Sequence, residues 1–98
     1  RMIRMKILES FNIPTNTFEH LANLTNLDLS NNRMDTIDPE MFSHLTKLET
    51  LDLSGNRLKI SPDLLVHLKE LKNLTVGSYQ VQTKDEEFFR QFYNLTIR

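Results

Sequence analysis

Residues 24–32 read LTNLDLSNN, and residues 48–56 read LETLDLSGN. The two stretches lie 24 residues apart and share Leu24/Leu48, Leu27/Leu51, Asp28/Asp52, Leu29/Leu53, Ser30/Ser54 and Asn32/Asn56. Self-similarity at a fixed period of this size predicts a solenoid whose units each supply one strand and one return segment. Leu27/Leu29 and Leu51/Leu53 alternate, so their side chains point inward from a short strand and the residues between them point outward.

Outward from this pair the pattern continues. A unit beginning at Leu21 places apolar residues at Leu24, Leu27, Leu29, Met34, Ile37 and Phe42; the next, from Leu45, runs through Leu48, Leu51, Leu53, Leu58, Ile60 and Leu65. A third begins at Leu68 and carries Leu71, Leu74, Val76 and Val81. Ile3, Met5, Leu8, Ile13 and Phe18 form the remnant of an earlier unit, and residues 92–97 (FYNLTI) repeat residues 71–76 (LKNLTV). The predicted organisation is a partial unit 1–20, units 21–44, 45–67 and 68–88, and a partial unit 89–98. The class is α/β: a parallel sheet on the concave side and short helices or turns on the convex side.

Asn32 and Asn56 end their strands at equivalent places, where a buried Asn would bond backbone groups as the chain leaves the sheet. The third unit has Tyr79 there, so the ladder is expected to break. Asp38-Pro39 and Ser61-Pro62 pair an N-cap with Pro at the first helical position. Thr83 and Glu86 suggest a capping box, followed by Phe88, Phe89, Phe92 and Tyr93 as core. The acidic residues of the run 84–87 suit a solvated first helical turn. Phe18 and Phe42 should stack in a column, with Leu65 in their place one unit later.

With these residues in view, the chain resembles the leucine-rich repeats of extracellular proteins, above all the ectodomains of Toll and Toll-like receptors. Residues 24–34 and 48–58 carry the resemblance, together with residues 37–42 (IDPEMF) and 13–18 (IPTNTF). The Gly-x-Ile-Pro step of plant-type repeats is absent, and the lengths differ from ribonuclease-inhibitor-type repeats. The resemblance implies a receptor segment that binds a protein or microbial ligand and supports receptor pairing, as a dimer or through neighbouring repeats. It also implies an extracellular, cell-surface or endosomal-lumen location. The alternatives are a secreted matrix or cell-adhesion protein built from the same repeat, and an intracellular repeat scaffold. Unit 68–88 departs from the pattern, with Gly77 and Tyr79 in place of the usual residues.

Composition bounds the function. Net charge is −1 from 12 basic and 13 acidic residues, so no field draws in nucleic acid or an anionic membrane. No apolar run is long enough to span a bilayer, and no signal peptide opens the chain; membrane attachment is expected only through a segment outside these residues. Cysteine is absent, which excludes disulfides, zinc–cysteine sites, cysteine nucleophiles and the disulfide-bonded caps usual in extracellular relatives. The expectation is a piece of a longer solenoid, marginally stable alone. Two glycines allow no phosphate-cradling loop, no nucleophile pairs with a base, and no cofactor is expected. The chain reads as a non-enzyme.

The outward strand residues are the candidate ligand-binding surface: Arg4, Asn26, Asp28, Thr50, Asp52 and Thr75, with Lys6, Ser30, Ser54, Asn73 and Gly77 alongside. Asp28 and Asp52 face each other on adjacent strands, where like charges repel; a cationic partner group, or Arg4, would relieve them. The structural reading is that Asp is simply frequent at this place in the repeat. Asn23, Asn73 and Asn94 each open an Asn-Leu-Thr triplet, the acceptor for N-linked sugar in a secretory protein. The repeat is rich in these residue types, which is the rival explanation. His20, His44 and His67 recur with the period; pH sensing and metal binding are weighed against a solvated repeat position, and the last is preferred because no ligand set is completed.

Overall fold

The computed structural model describes residues 2–4 and 14–98. Five short strands run β1 (Met2–Arg4), β2 (Asn26–Asp28), β3 (Thr50–Asp52), β4 (Asn73–Val76) and β5 (Asn94–Ile97). They form one sheet in sequence order, and every pairing is parallel. The register aligns Ile3, Leu27, Leu51, Leu74 and Leu95 in one row. Of the early unit, Ile3 and Phe18 can be placed; Met5, Leu8, Ile13 and the flanking Lys6 lie outside the described residues.

The inward leucines behave as alternation requires. Leu27, Leu29, Leu51 and Leu53 are completely buried. Full burial of one such side chain contributes about 1.5–3 kcal/mol. It is available only because consecutive coils lie against one another. Coil-to-coil backbone bonds continue past the strands, from Leu29 N to Asp52 O (2.9 Å), Asn31 N to Ser54 O (2.9 Å) and Leu53 N to Thr75 O (2.9 Å).

The return segments are 3₁₀ turns at Pro39–Phe42, Pro62–Leu65, Ser78–Gln80 and Thr83–Asp85, and one short helix, α1 (Glu86–Phe89). Asp38 caps the first, its carboxylate accepting from Glu40 N at 3.0 Å, with Pro39 at the first position. Ser61 holds the same place before Pro62 but makes no side-chain cap bond. The Phe18 and Phe42 rings stack at 6.4 Å and 6°, and Leu65 is buried in the same core.

Two expectations fail at the C-terminal end. The Thr83/Glu86 capping box does not form: Thr83 is already inside a 3₁₀ turn, and neither that turn nor α1 receives a side-chain cap. Tyr93 is 84 % exposed rather than core. The other three aromatics pack together: Phe89 is buried, and Phe88 meets Phe89 and Phe92 edge-on at 5.2 and 5.6 Å.

The expected break at Tyr79 is only partial: the bonds donated to the preceding coil are kept, and those accepted from it are lost. Gln80, one residue later, supplies the missing amide. Its Nε2 donates to Leu53 O (3.0 Å) and Leu58 O (3.3 Å), and its Oε1 accepts from Gly77 N. Tyr79 turns its hydroxyl to donate to Asn56 O. Gln80 is completely buried, so the extra methylene of Gln bridges the distance that an Asn would span from the preceding position.

Candidate functional site: the outer face of the sheet

The regular units end in an amide lock. Asn56 Oδ1 accepts from Asn32 N (3.0 Å) and Met34 N (3.1 Å), while its Nδ2 donates to Leu29 O (2.9 Å) and Leu53 O (3.0 Å). Asn32 Nδ2 donates to Leu29 O at 2.9 Å. The residues just before these amides, Asn31 and Gly55, have φ of 59° and 74°. Asn tolerates this left-handed conformation and Gly favours it. At Gly55 there is also no room, since a Cβ would come within 2.0 Å of Asn31 Oδ1.

This lock fixes the strand ends and so positions the outer face. There the register brings Asn26, Thr50, Asn73 and Asn94 into one row, and Arg4, Asp28, Asp52, Thr75 and Thr96 into the next. All six predicted ligand-face residues therefore lie in two adjacent rows. In the first, Asn94 Nδ2 donates to Asn73 Oδ1 (2.9 Å) and Asn73 Nδ2 to Thr50 Oγ1 (2.9 Å), a side-chain ladder crossing three strands.

The second row carries the charge. Asp28 and Asp52 are directly opposed. Each directs Oδ1 to the serine two residues on: Ser30 N and Oγ donate to Asp28 at 2.9 and 2.6 Å, and Ser54 N and Oγ to Asp52 at 3.0 and 2.6 Å. The Asp-Leu-Ser triplet is thus an Asx-type turn that closes each strand. Ser30 and Ser54, read from the sequence as surface positions, spend their hydroxyls on it. Arg4 Nε donates to Asp28 Oδ2 at 2.8 Å, the relief anticipated for this pair. Asp28 is not a solvated outward residue: it is 8 % exposed, covered by this packing. Burial pushes its carboxyl pKa up, but the Ser30 hydroxyl and amide, with Arg4, outweigh burial and hold it below the usual carboxylate range. Arg4, Asp28, Ser30 and Asp52, together with Asn31, Asn32 and Arg98, line a polar cavity of about 500 Å³.

The sequon asparagines differ in setting. Asn23 is exposed, its Oδ1 accepting from Lys47 Nζ at 3.2 Å. Asn73 is half-buried in the ladder on the sheet face, and Asn94 is exposed beside it. The histidines stand apart from this face: His67 Nε2 lies 3.1 Å from Glu40 Oε1, and His20 Nε2 3.3 Å from Glu19 Oε1. Among the described residues no group of three or more His, Cys, Asp or Glu could hold a metal ion, and no helix is long and apolar enough to cross a membrane.

Sequence reasoning found the sheet face, with its polar row and its charged row. It missed Gln80, the left-handed Asn31/Gly55 position and the serine side of the Asp-Leu-Ser turn. The last had a signal, since Asp followed two residues later by Ser is a turn pattern that repeats here at both units.

The geometry agrees with the comparison to known families. The family model described as leucine rich repeat matches residues 10–58, half of the chain. The chain belongs to the leucine-rich-repeat family, and so carries a protein-binding repeat module. Searches of curated proteins and of solved structures gave no match.

Proposed function

We propose that this chain is a ligand-recognition segment of the ectodomain of a Toll-like innate immune receptor, binding a protein or microbial ligand and supporting receptor pairing. The observation that carries the reading is the outer face of the sheet, where Arg4, Asn26, Asp28, Thr50, Asp52 and Thr75 stand in register. No element of the described chain packs over them. Two further points support it: the Toll-like form of residues 24–34 and 48–58, and three sequons of which Asn23 is well exposed for modification. The same face holds its partner without catalysis, through polar contacts on a rigid platform. The proposed location is the cell surface, the extracellular space or the endosomal lumen.

The complete coding sequence together with expression in secreting animal cells tests this. The reading expects a transmembrane segment and an intracellular signalling domain in the same polypeptide, and sugar on Asn23. Secretion with sugar but without those domains would favour a matrix or adhesion protein. An unmodified cytosolic protein would favour an intracellular scaffold; either result overturns the receptor assignment.

A further inference from the structure

Arg4, Asp28 and Asp52 occupy one row on β1, β2 and β3, and Thr75 follows on β4. The two carboxylates are held alike, each with Oδ1 taken by its serine. Their outer oxygens differ. Asp28 Oδ2 receives Arg4 Nε at 2.8 Å, whereas Asp52 forms no ion pair among the described residues. Arg98 lines the same cavity of about 500 Å³ and pairs with neither carboxylate.

We propose that Asp52 is the seat for a single arginine side chain of a protein partner, bound as Arg4 is bound by Asp28. This deepens, and rests on, the reading of the sheet face as a recognition surface. The Arg4–Asp28 pair is an internal template, because it shows a guanidinium seated against the same serine-capped carboxylate one strand away. A guest cation at Asp52 offsets the repulsion between the two in-register carboxylates. A guanidinium suits the seat better than an ammonium, because its planar fork matches a carboxylate and it is more weakly hydrated. Arg4 and Arg98, which also line the cavity, disfavour a run of basic residues, so the partner presents one arginine.

The test is a nuclear magnetic resonance titration of the isotope-labelled 98-residue chain with N-acetyl-arginine amide, using N-acetyl-citrulline amide as the neutral isostere. The proposal expects saturable shifts at the Asp52, Leu53 and Ser54 amides with the arginine probe, and their loss with citrulline. Asp52→Asn keeps the oxygen that accepts from Ser54 and should abolish the response. Thr75→Arg, which places a guanidinium beside the seat from β4, should abolish it by occupancy with no carboxylate removed. Asp63→Asn, away from this row, should leave it intact. Equal shifts with citrulline, a response that survives Asp52→Asn, or equal shifts around Asp35 and Asp63 would overturn the arginine seat and leave the receptor reading untouched. Conversely, the expected titration from an unglycosylated cytosolic protein would keep the seat and remove the receptor reading.

Discussion

Gln80 donates to the coil before it in the third full unit as Asn56 does in the second, while its Oε1 accepts from Gly77 N of its own unit. Gln80 Nε2 donates to Leu53 O at 3.0 Å and Asn56 Nδ2 to Leu29 O at 2.9 Å, each reaching 27 residues back to the preceding coil. The donor side of the amide ladder therefore passes through the irregular unit with a change of residue type and a shift of one position. Asn56→Ala would remove the oxygen that accepts from the buried N–H groups of Asn32 and Met34. A buried unsatisfied group costs about 1–3 kcal/mol, so the substitution should cost about 3 kcal/mol in urea denaturation. Tyr79→Phe removes only one donor to Asn56 O and should cost no more than about 1.5 kcal/mol. A Tyr79→Phe loss equal to that of Asn56→Ala would contradict this division of roles.

Gly55 is required twice over, by its φ of 74° and by the Asn31 side chain packed against its Cα. A left-handed non-glycine residue costs about 1–2 kcal/mol, and the clash adds to that in Gly55→Ala. The double variant Asn31→Gly/Gly55→Ala removes the side-chain clash and keeps the conformational cost and the 3.1 Å approach to the residue 31 backbone nitrogen. A double-mutant cycle should show it to be more stable than Gly55→Ala alone; strict additivity would show that the Asn31 contact is immaterial.

Asp28 makes stability depend on pH. Its folded pKa lies below the ordinary carboxylate value of about 3.9. Its contribution is thus fully present above that value and is lost as pH falls through the folded one. Asp28→Asn keeps an acceptor for Ser30 but sets a donor against Arg4. Since Arg4 is largely exposed, the pair is screened, and the variant should lose about 1 kcal/mol at pH 7. The gap between wild type and variant should narrow below about pH 4. A gap that stays constant down to pH 2 would mean that this carboxylate is not the titrating group.

The three sequons should be used unequally in a secreting cell. Asn23 is exposed and its Nδ2 has no hydrogen-bond partner among the described residues, so peptide mass spectrometry should find it the most fully occupied. Sugar on Asn73 would cover the ladder to Thr50 and Asn94 and should weaken any ligand that contacts Thr50. Occupancy at Asn73 above that at Asn23 would run against this ordering.

Much of this architecture was legible because burial imposes a strict spacing. Leu27, Leu29, Leu51 and Leu53 announce the strand, its inward face and the 24-residue coil, and Phe18 and Phe42 announce the return column. The sheet-face row could be read from the same alternation. What could not be read was any interaction that departs from the repeat by one residue. Gln80 hides behind Tyr79 because its longer side chain reaches the same carbonyl from a shifted position. Alternation points Asp28 outward and the charge pattern suggests Arg4 as its relief, but neither reveals the Ser30 hydroxyl and amide that also cover it. Tyr93 reads as core from its place beside three phenylalanines, yet only Phe89, Phe88 and Phe92 turn inward.

The central claim is that successive coils stack in parallel, so that the outer strand residues form one recognition face. Scalar couplings across hydrogen bonds, measured on the isotope-labelled chain, test it directly because they connect a donor nitrogen to its acceptor carbonyl carbon. The account predicts couplings from Leu29 N to the Asp52 carbonyl, from Asn31 N to that of Ser54 and from Leu53 N to that of Thr75. Couplings from Leu29 and Leu53 to carbonyls four residues earlier, or an antiparallel pattern between residues 26–28 and 50–52, would contradict it.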